Sequence, residues 1–171
     1  MTTRAGVRVA LAAEPRANVT TGVPVLDHLI GLLARTGSFE IALDVAPDGA
    51  EAEVAAAGRA LGSALGEPLR AEGASGRGWA SVPADEALAY VTLEVAERSL
   101  LASNVDLSDQ RLGGLAGDPV ALFLEELSAG AGIALHVRLI EGRETEHVLE
   151  AIFKALGAAL GQATRPAYGK E

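Results

Sequence analysis

The sequence predicts an α+β fold built twice, an internally duplicated unit of one β-sheet and two helices with the helices packed on the sheets. Three observations predict it. The segment Ala60-Leu61-Gly62-Ser63-Ala64-Leu65-Gly66-Glu67 recurs as Ala155-Leu156-Gly157-Ala158-Ala159-Leu160-Gly161-Gln162, with six of eight positions identical. Ile41-Ala42-Leu43-Asp44-Val45 recurs as Ile133-Ala134-Leu135-His136-Val137, and Pro24-Val25 recurs as Pro119-Val120. All three pairs keep the same order at nearly the same spacing. The halves fall at roughly 1–78 and 79–171, fused into one compact unit whose 49% hydrophobic content is ample for a core.

Each element has its own warrant. Residues 4–12 alternate, with Ala5, Val7, Val9 and Leu11 on one side and Arg4 and Arg8 on the other, the pattern of a half-buried strand. Pro24 suits the first position of a helix through residue 33. Residues 38–45 read as a strand, Pro47-Asp48-Gly49 as a turn, and 50–66 as an alanine-rich helix anchored by Val54, Leu61 and Leu65. The small, polar, glycine-rich stretch 69–78 reads as a linker or mobile loop. Strands follow at 79–82, 87–95 and 99–104, then a loop over 106–117, a helix at 119–127, a strand at 133–140 and a final helix to about residue 163.

Charge and composition narrow the function. Fourteen Lys and Arg against 23 Asp and Glu give a net charge of −9, which argues against a nucleic-acid or anionic-membrane surface. The chain has no cysteine, so disulfides, thiolate metal sites and cysteine nucleophiles are excluded. No apolar run approaches membrane-spanning length and the N-terminus lacks a signal-peptide core, so the expected location is cytoplasmic.

The stretch 142–155 is where an imidazole and carboxylates sit at helical spacing. His147 and Glu150 are three apart and share a helix face, while Glu146 and His147 point about 100° apart. Val148, Leu149, Ile152, Phe153, Leu156 and Leu160 turn the rest of the helix toward a core. The plain alternative is an acidic first turn, favourable against the helix dipole, with a histidine in it.

Thr21-Gly22-Val23-Pro24-Val25-Leu26-Asp27-His28-Leu29, Val82-Pro83-Ala84-Asp85-Glu86-Ala87-Leu88, Leu135-His136 and the Glu146 to Ala155 stretch resemble, in the same order, the motifs of the imidazoleglycerol-phosphate dehydratase family. The resemblance covers nearly the whole chain. It implies halves of the ribosomal protein S5 domain 2-like type and a high-order homo-oligomer with manganese at subunit interfaces. The implied activity is the hydro-lyase removal of water from imidazole glycerol phosphate in histidine biosynthesis.

The chain departs from that pattern at its metal motifs. Where the family has a His-His-x-x-Glu in each half, this chain has Glu146-His147-Val148-Leu149-Glu150 and Glu51-Ala52-Glu53-Val54-Ala55, and Arg4-Ala5 stands where the family has Glu-Thr. Adjacent positions on a helix diverge, so each ion of the family draws one position from one half and the other position plus the Glu from the other half. One implied set is then His28, Glu51, His147 and Glu150, adequate for a single Mn²⁺ or Zn²⁺. The other keeps only His136 and Glu146, because Ala52 and Ala55 cannot coordinate, so the expectation is at most one ion per chain, or none.

The resemblance further implies catalytic roles for Glu150 and His147 and contacts to a small phosphorylated ligand from Arg98, Arg77 and Lys170, while Asp85 and Glu86, two carboxylates after a Pro turn, are acid/base candidates by their own chemistry, Glu86 foremost. The plain alternative for Arg98 and Arg77 is a surface ion pair, and for Asp85 and Glu86 charges flanking a strand. Two function classes follow: a diverged dehydratase, or a non-catalytic paralogue (a pseudoenzyme) that keeps the fold and assembly and binds a ligand or partner.

Overall fold

The computed structural model describes residues 3–107 and 118–167. The chain runs β1 (Ala5–Leu11), β2 (Arg16–Thr20), α1 (Pro24–Gly37), β3 (Phe39–Val45), α2 (Ala50–Arg70), β4 (Arg77–Ala84), β5 (Ala87–Val95), β6 (Leu100–Ser103), α3 (Pro119–Ala131), β7 (Ile133–Glu141) and α4 (Thr145–Ala163). Most of the predicted loop at 106–117 lies outside the described residues, as does Lys170.

Duplication is written in the strand pairing. In the first sheet β3 is central, antiparallel to β1 and parallel to β2. In the second, β7 is antiparallel to β5 and parallel to β6, and β4 adds a fourth strand outside β5. Strand burial alternates as the pleat requires: Phe39, Ile41, Leu43 and Val45 are buried while Glu40 and Asp44 face solvent.

Helices α1 and α2 cover one face of the first sheet, and α3 and α4 one face of the second. The two helical layers then pack on each other, α1 against α4 and α2 against α3, so the order through the molecule is sheet, helices, helices, sheet. Phe123 of α3 and Phe153 of α4 are fully buried where the layers meet, their ring centroids 5.4 Å apart.

The repeated Ala-Leu-Gly-x-Ala-Leu-Gly segment has a packing reason. A Cβ on Gly157 would overlap Thr36 Oγ1 and the Leu33 carbonyl of α1, and one on Gly62 would overlap the Leu127 carbonyl of α3. Each half thus supplies a glycine where its own helix crosses the other half's helix.

Helix starts follow their sequences. Pro24 and Pro119 both occupy the first helical turn, and Asp118 caps α3 by accepting a hydrogen bond from the Ala121 N–H at 2.9 Å. Helix α1 closes on Ser38 in the left-handed region (φ 55°), where the Arg165 guanidinium donates to the carbonyls of Gly37, Ser38 and Gly161 and lies over the Phe39 ring.

Two expectations need correction. The stretch 69–78 is not a mobile linker: α2 continues to Arg70 because Leu69 is buried, and β4 begins at Arg77. The short connection between them is pinned, with the Ser75 N–H donating to the Arg165 carbonyl and the Gly76 N–H to that of Ala163. Strand β2 was not expected, since in Arg16-Ala17-Asn18-Val19-Thr20 only Val19 is even half-buried. It forms by pairing with β3 rather than by burying its own side chains.

The glycine packing gives a direct test. Gly157→Ala and Gly62→Ala should each destabilise the fold by about 1–3 kcal/mol through overpacking, read as a lower urea midpoint, whereas Gly6→Ala, with open space around it, should stay near wild type.

Candidate functional site

The start of α1 is set by Asp27, whose Oδ1 accepts hydrogen bonds from the Thr21 N–H at 3.0 Å and from the Thr21 hydroxyl. Those bonds fix the turn before the helix and leave the next residue, His28, on the surface with 57% of its side chain exposed. Because α1 lies against α4, His28 Nε2 comes within 3.4 Å of Glu150 Oε1.

One turn toward the start of α4, His147 is held from both sides. Its Nδ1 lies 2.6 Å from Glu86 Oε2 and its Nε2 lies 3.2 Å from Asp85 Oδ2. Both carboxylates come from the β4–β5 turn, where Asp85 adopts the left-handed backbone (φ 50°). Glu86 also receives the backbone N–H groups of Glu144 (2.8 Å) and Arg143 (3.2 Å) through its other oxygen. Strand pairing explains the meeting, for Leu88 near the start of β5 is opposite Glu141 at the end of β7.

These contacts act on protonation in opposite senses. The Glu144 N–H first, with the His147 ring and the Arg143 N–H behind it, holds the Glu86 carboxyl down at about 2 against the opposing desolvation. The hydrogen bond to Glu86, with the charges of Glu86, Asp85 and Glu150, raises His147 above the ordinary imidazole value, desolvation again opposing. The ring thus lies between two carboxylates, and both favour its protonated form.

Of the residues expected to form one ion site, His28 meets Glu150 while His147 turns to the β4–β5 turn. Glu51 stands exposed in the first turn of α2 with no hydrogen bond or ion pair to the described residues. Its neighbour Glu53 is buried instead, accepting the Asp48 N–H at 3.2 Å and packing against Gly22. Among the described residues no group of three or more His, Asp or Glu side chains is placed to hold a metal ion. The described residues of one chain therefore do not by themselves complete a site for Mn²⁺ or Zn²⁺.

His136 is elsewhere, exposed on the outer face of the second sheet beside Thr92 and Ala102, in an open groove shared with Arg77, Trp79 and Glu94. Arg77 makes a long ion pair with Glu94 at 3.8 Å. Arg98 is exposed in the β5–β6 turn, and Glu146 is exposed beside His147. Sequence reasoning placed Asp85 and Glu86 near chemistry but missed that both converge on His147, about sixty residues away, because no local pattern encodes a contact at that separation.

The profile of the family described as imidazoleglycerol-phosphate dehydratase matches residues 21–160. The imidazoleglycerol-phosphate dehydratase of Acetivibrio thermocellus is 37% identical over 156 residues, covering 88% of this chain and 79% of the relative. That of Syntrophobacter fumaroxidans is 40% identical over 156 residues, covering 89% and 79%. Among solved structures, imidazoleglycerol-phosphate dehydratase from Staphylococcus aureus superposes with a TM-score of 0.86 at 27% identity, over 96% of this chain and 95% of that one.

The clamp around His147 should leave a pH signature. A raised His147 contributes stability that is complete below the unfolded value of 6.5 and is lost as pH rises through the higher folded value. A lowered Glu86 contributes stability that is complete above 4.5 and is lost as pH falls toward about 2. The gap in urea midpoint between wild type and His147→Gln should therefore be widest between these two unfolded values and shrink on either side; a gap independent of pH would contradict the assignment.

Proposed function

The chain belongs to the imidazoleglycerol-phosphate dehydratase family, and from that premise we propose that it keeps the family's fold without sustaining the full dehydration of imidazole glycerol phosphate. In this reading it works beside histidine biosynthesis as a weakly active dehydratase or as a non-catalytic paralogue that binds a small phosphorylated ligand or a partner. The observation that carries the reading is the start of α2. Where the family pattern asks for two imidazoles and a carboxylate, this helix presents Glu51, Ala52 and Ala55, and Glu53 between them is spent on the Asp48 backbone.

Magnitudes favour loss over mere attenuation. Each charge-stabilising group removed from a site of this kind costs on the order of 3 kcal/mol of transition-state stabilisation, and each 1.36 kcal/mol is about tenfold in rate. Losing the first-half imidazoles alone then lowers turnover by roughly a thousandfold or more.

A residual one-ion reading draws on a specific feature. His28 Nε2 and Glu150 Oε1, 3.4 Å apart, have the spacing of two donors to one ion. Two donors do not hold a divalent ion against water, so a third, such as Glu51, would have to come from a second copy of the chain in a homo-oligomer.

Two measurements test the proposal. Purified protein supplied with Mn²⁺ should turn over imidazole glycerol phosphate at least about a thousandfold more slowly than a family enzyme with both motifs; comparable turnover rejects the proposal. Elemental analysis after metal loading should find at most one ion per chain, reduced by His28→Ala and unaffected by His136→Ala, with light scattering on the same sample giving an oligomer. Two ions per chain would show that the second set binds despite its alanines.

A further inference from the structure

We propose that Asp85, His147 and Glu86 form a metal-independent cross-link that fastens the β4–β5 turn to α4 and removes His147 from ion binding. A histidine that ligates a metal uses one ring nitrogen for the ion and donates the other to a carboxylate or carbonyl. Glu86 fills the second of these roles at Nδ1, at 2.6 Å. The remaining nitrogen faces Asp85 Oδ2 at 3.2 Å, so no ring nitrogen is left unengaged.

Among the described residues, an ion entering between Nε2 and Asp85 would find two protein donors and no third. Glu150, the acid on the same helix face, is directed to His28, and Glu86 is held by two backbone N–H groups and the other side of the ring. Two ligands by themselves lose to water. The clamp joins a hairpin turn on one side to the 143–144 backbone and the first turn of α4 on the other. Left-handed Asp85 is what aims two consecutive carboxylates at one ring.

This inference extends the reading above, and its test is separate from any assay of turnover. In thermal denaturation of the full chain, a chelator or an excess of Mn²⁺ or Zn²⁺ should shift the midpoints of wild type and of His147→Gln by the same amount. Isothermal titration with Zn²⁺ should likewise give the same affinity and stoichiometry for wild type and His147→Gln. An ion-dependent rise in midpoint, or Zn²⁺ uptake, that vanishes in His147→Gln overturns the proposal.

The cross-link itself is read by a double-mutant cycle. Glu86→Gln and His147→Gln should each lower the midpoint by several degrees, and the double variant should lose clearly less than their sum. Additive losses would mean the pair is not a unit, and would overturn the cross-link even if the protein proves inactive as a dehydratase. Should His147→Gln not fold, His147→Asn replaces it in both the cycle with Glu86→Gln and the titration, with the same outcomes required.

Discussion

The contact between the two helical layers is what everything else in this molecule depends on. Among the described residues the halves meet chiefly through their helices, with Arg165, just beyond α4, reaching Gly37, Ser38 and the Phe39 ring. Glycines at 62 and 157 let backbones approach where α2 crosses α3 and α4 crosses α1, and Gly58, Gly130 and Gly161 extend the same close approach. Around these crossings the leucines of the repeat are fully buried. A core so assembled tolerates little change in volume, because an added methyl at a backbone crossing meets a carbonyl rather than a yielding side chain.

That contact also creates the site. His28 belongs to the first half and Glu150 to the second, and they meet only because α1 rests on α4. The β4–β5 turn reaches α4 by a different route, through the pairing of β5 with β7. The acidic and imidazole side chains are therefore arranged by tertiary packing on one flank and by strand register on the other. Two halves that began alike have diverged here: α4 still presents a histidine at its start, while α2 buries Glu53 there against the turn that precedes it.

Much of the architecture was legible because it rests on periodicity. The α1 and α3 prolines, the alternating β3 and β7 segments and the repeated glycine-leucine stretch each announce an element by local chemistry. What escaped was held by partners distant in sequence. Strand β2 has almost no apolar pattern and exists by its ladder to β3, and the 69–78 stretch looked loose because glycine and serine composition does not reveal that its amides bond to residues 163 and 165. The same limit governed the site. The spacing of His147 and Glu150 was readable, but the partner each prefers lies more than sixty residues away in one case and more than a hundred in the other, beyond any local rule.

The pairing of α1 with α4 has a consequence for how the chain comes to be folded. The first half can form its ladder of β1, β2 and β3 from nearby residues, yet the face of α1 that packs on α4 waits for a partner more than a hundred residues downstream, as does the carbonyl end of α1 that Arg165 closes. On a ribosome releasing residues one after another, that apolar face emerges long before its cover. Contacts of such sequence separation form slowly, and exposed apolar surface in the interval invites association. A duplicated protein invites the picture of two halves folding one at a time; here the halves exchange helix contacts, so the packing of each is completed only by the other.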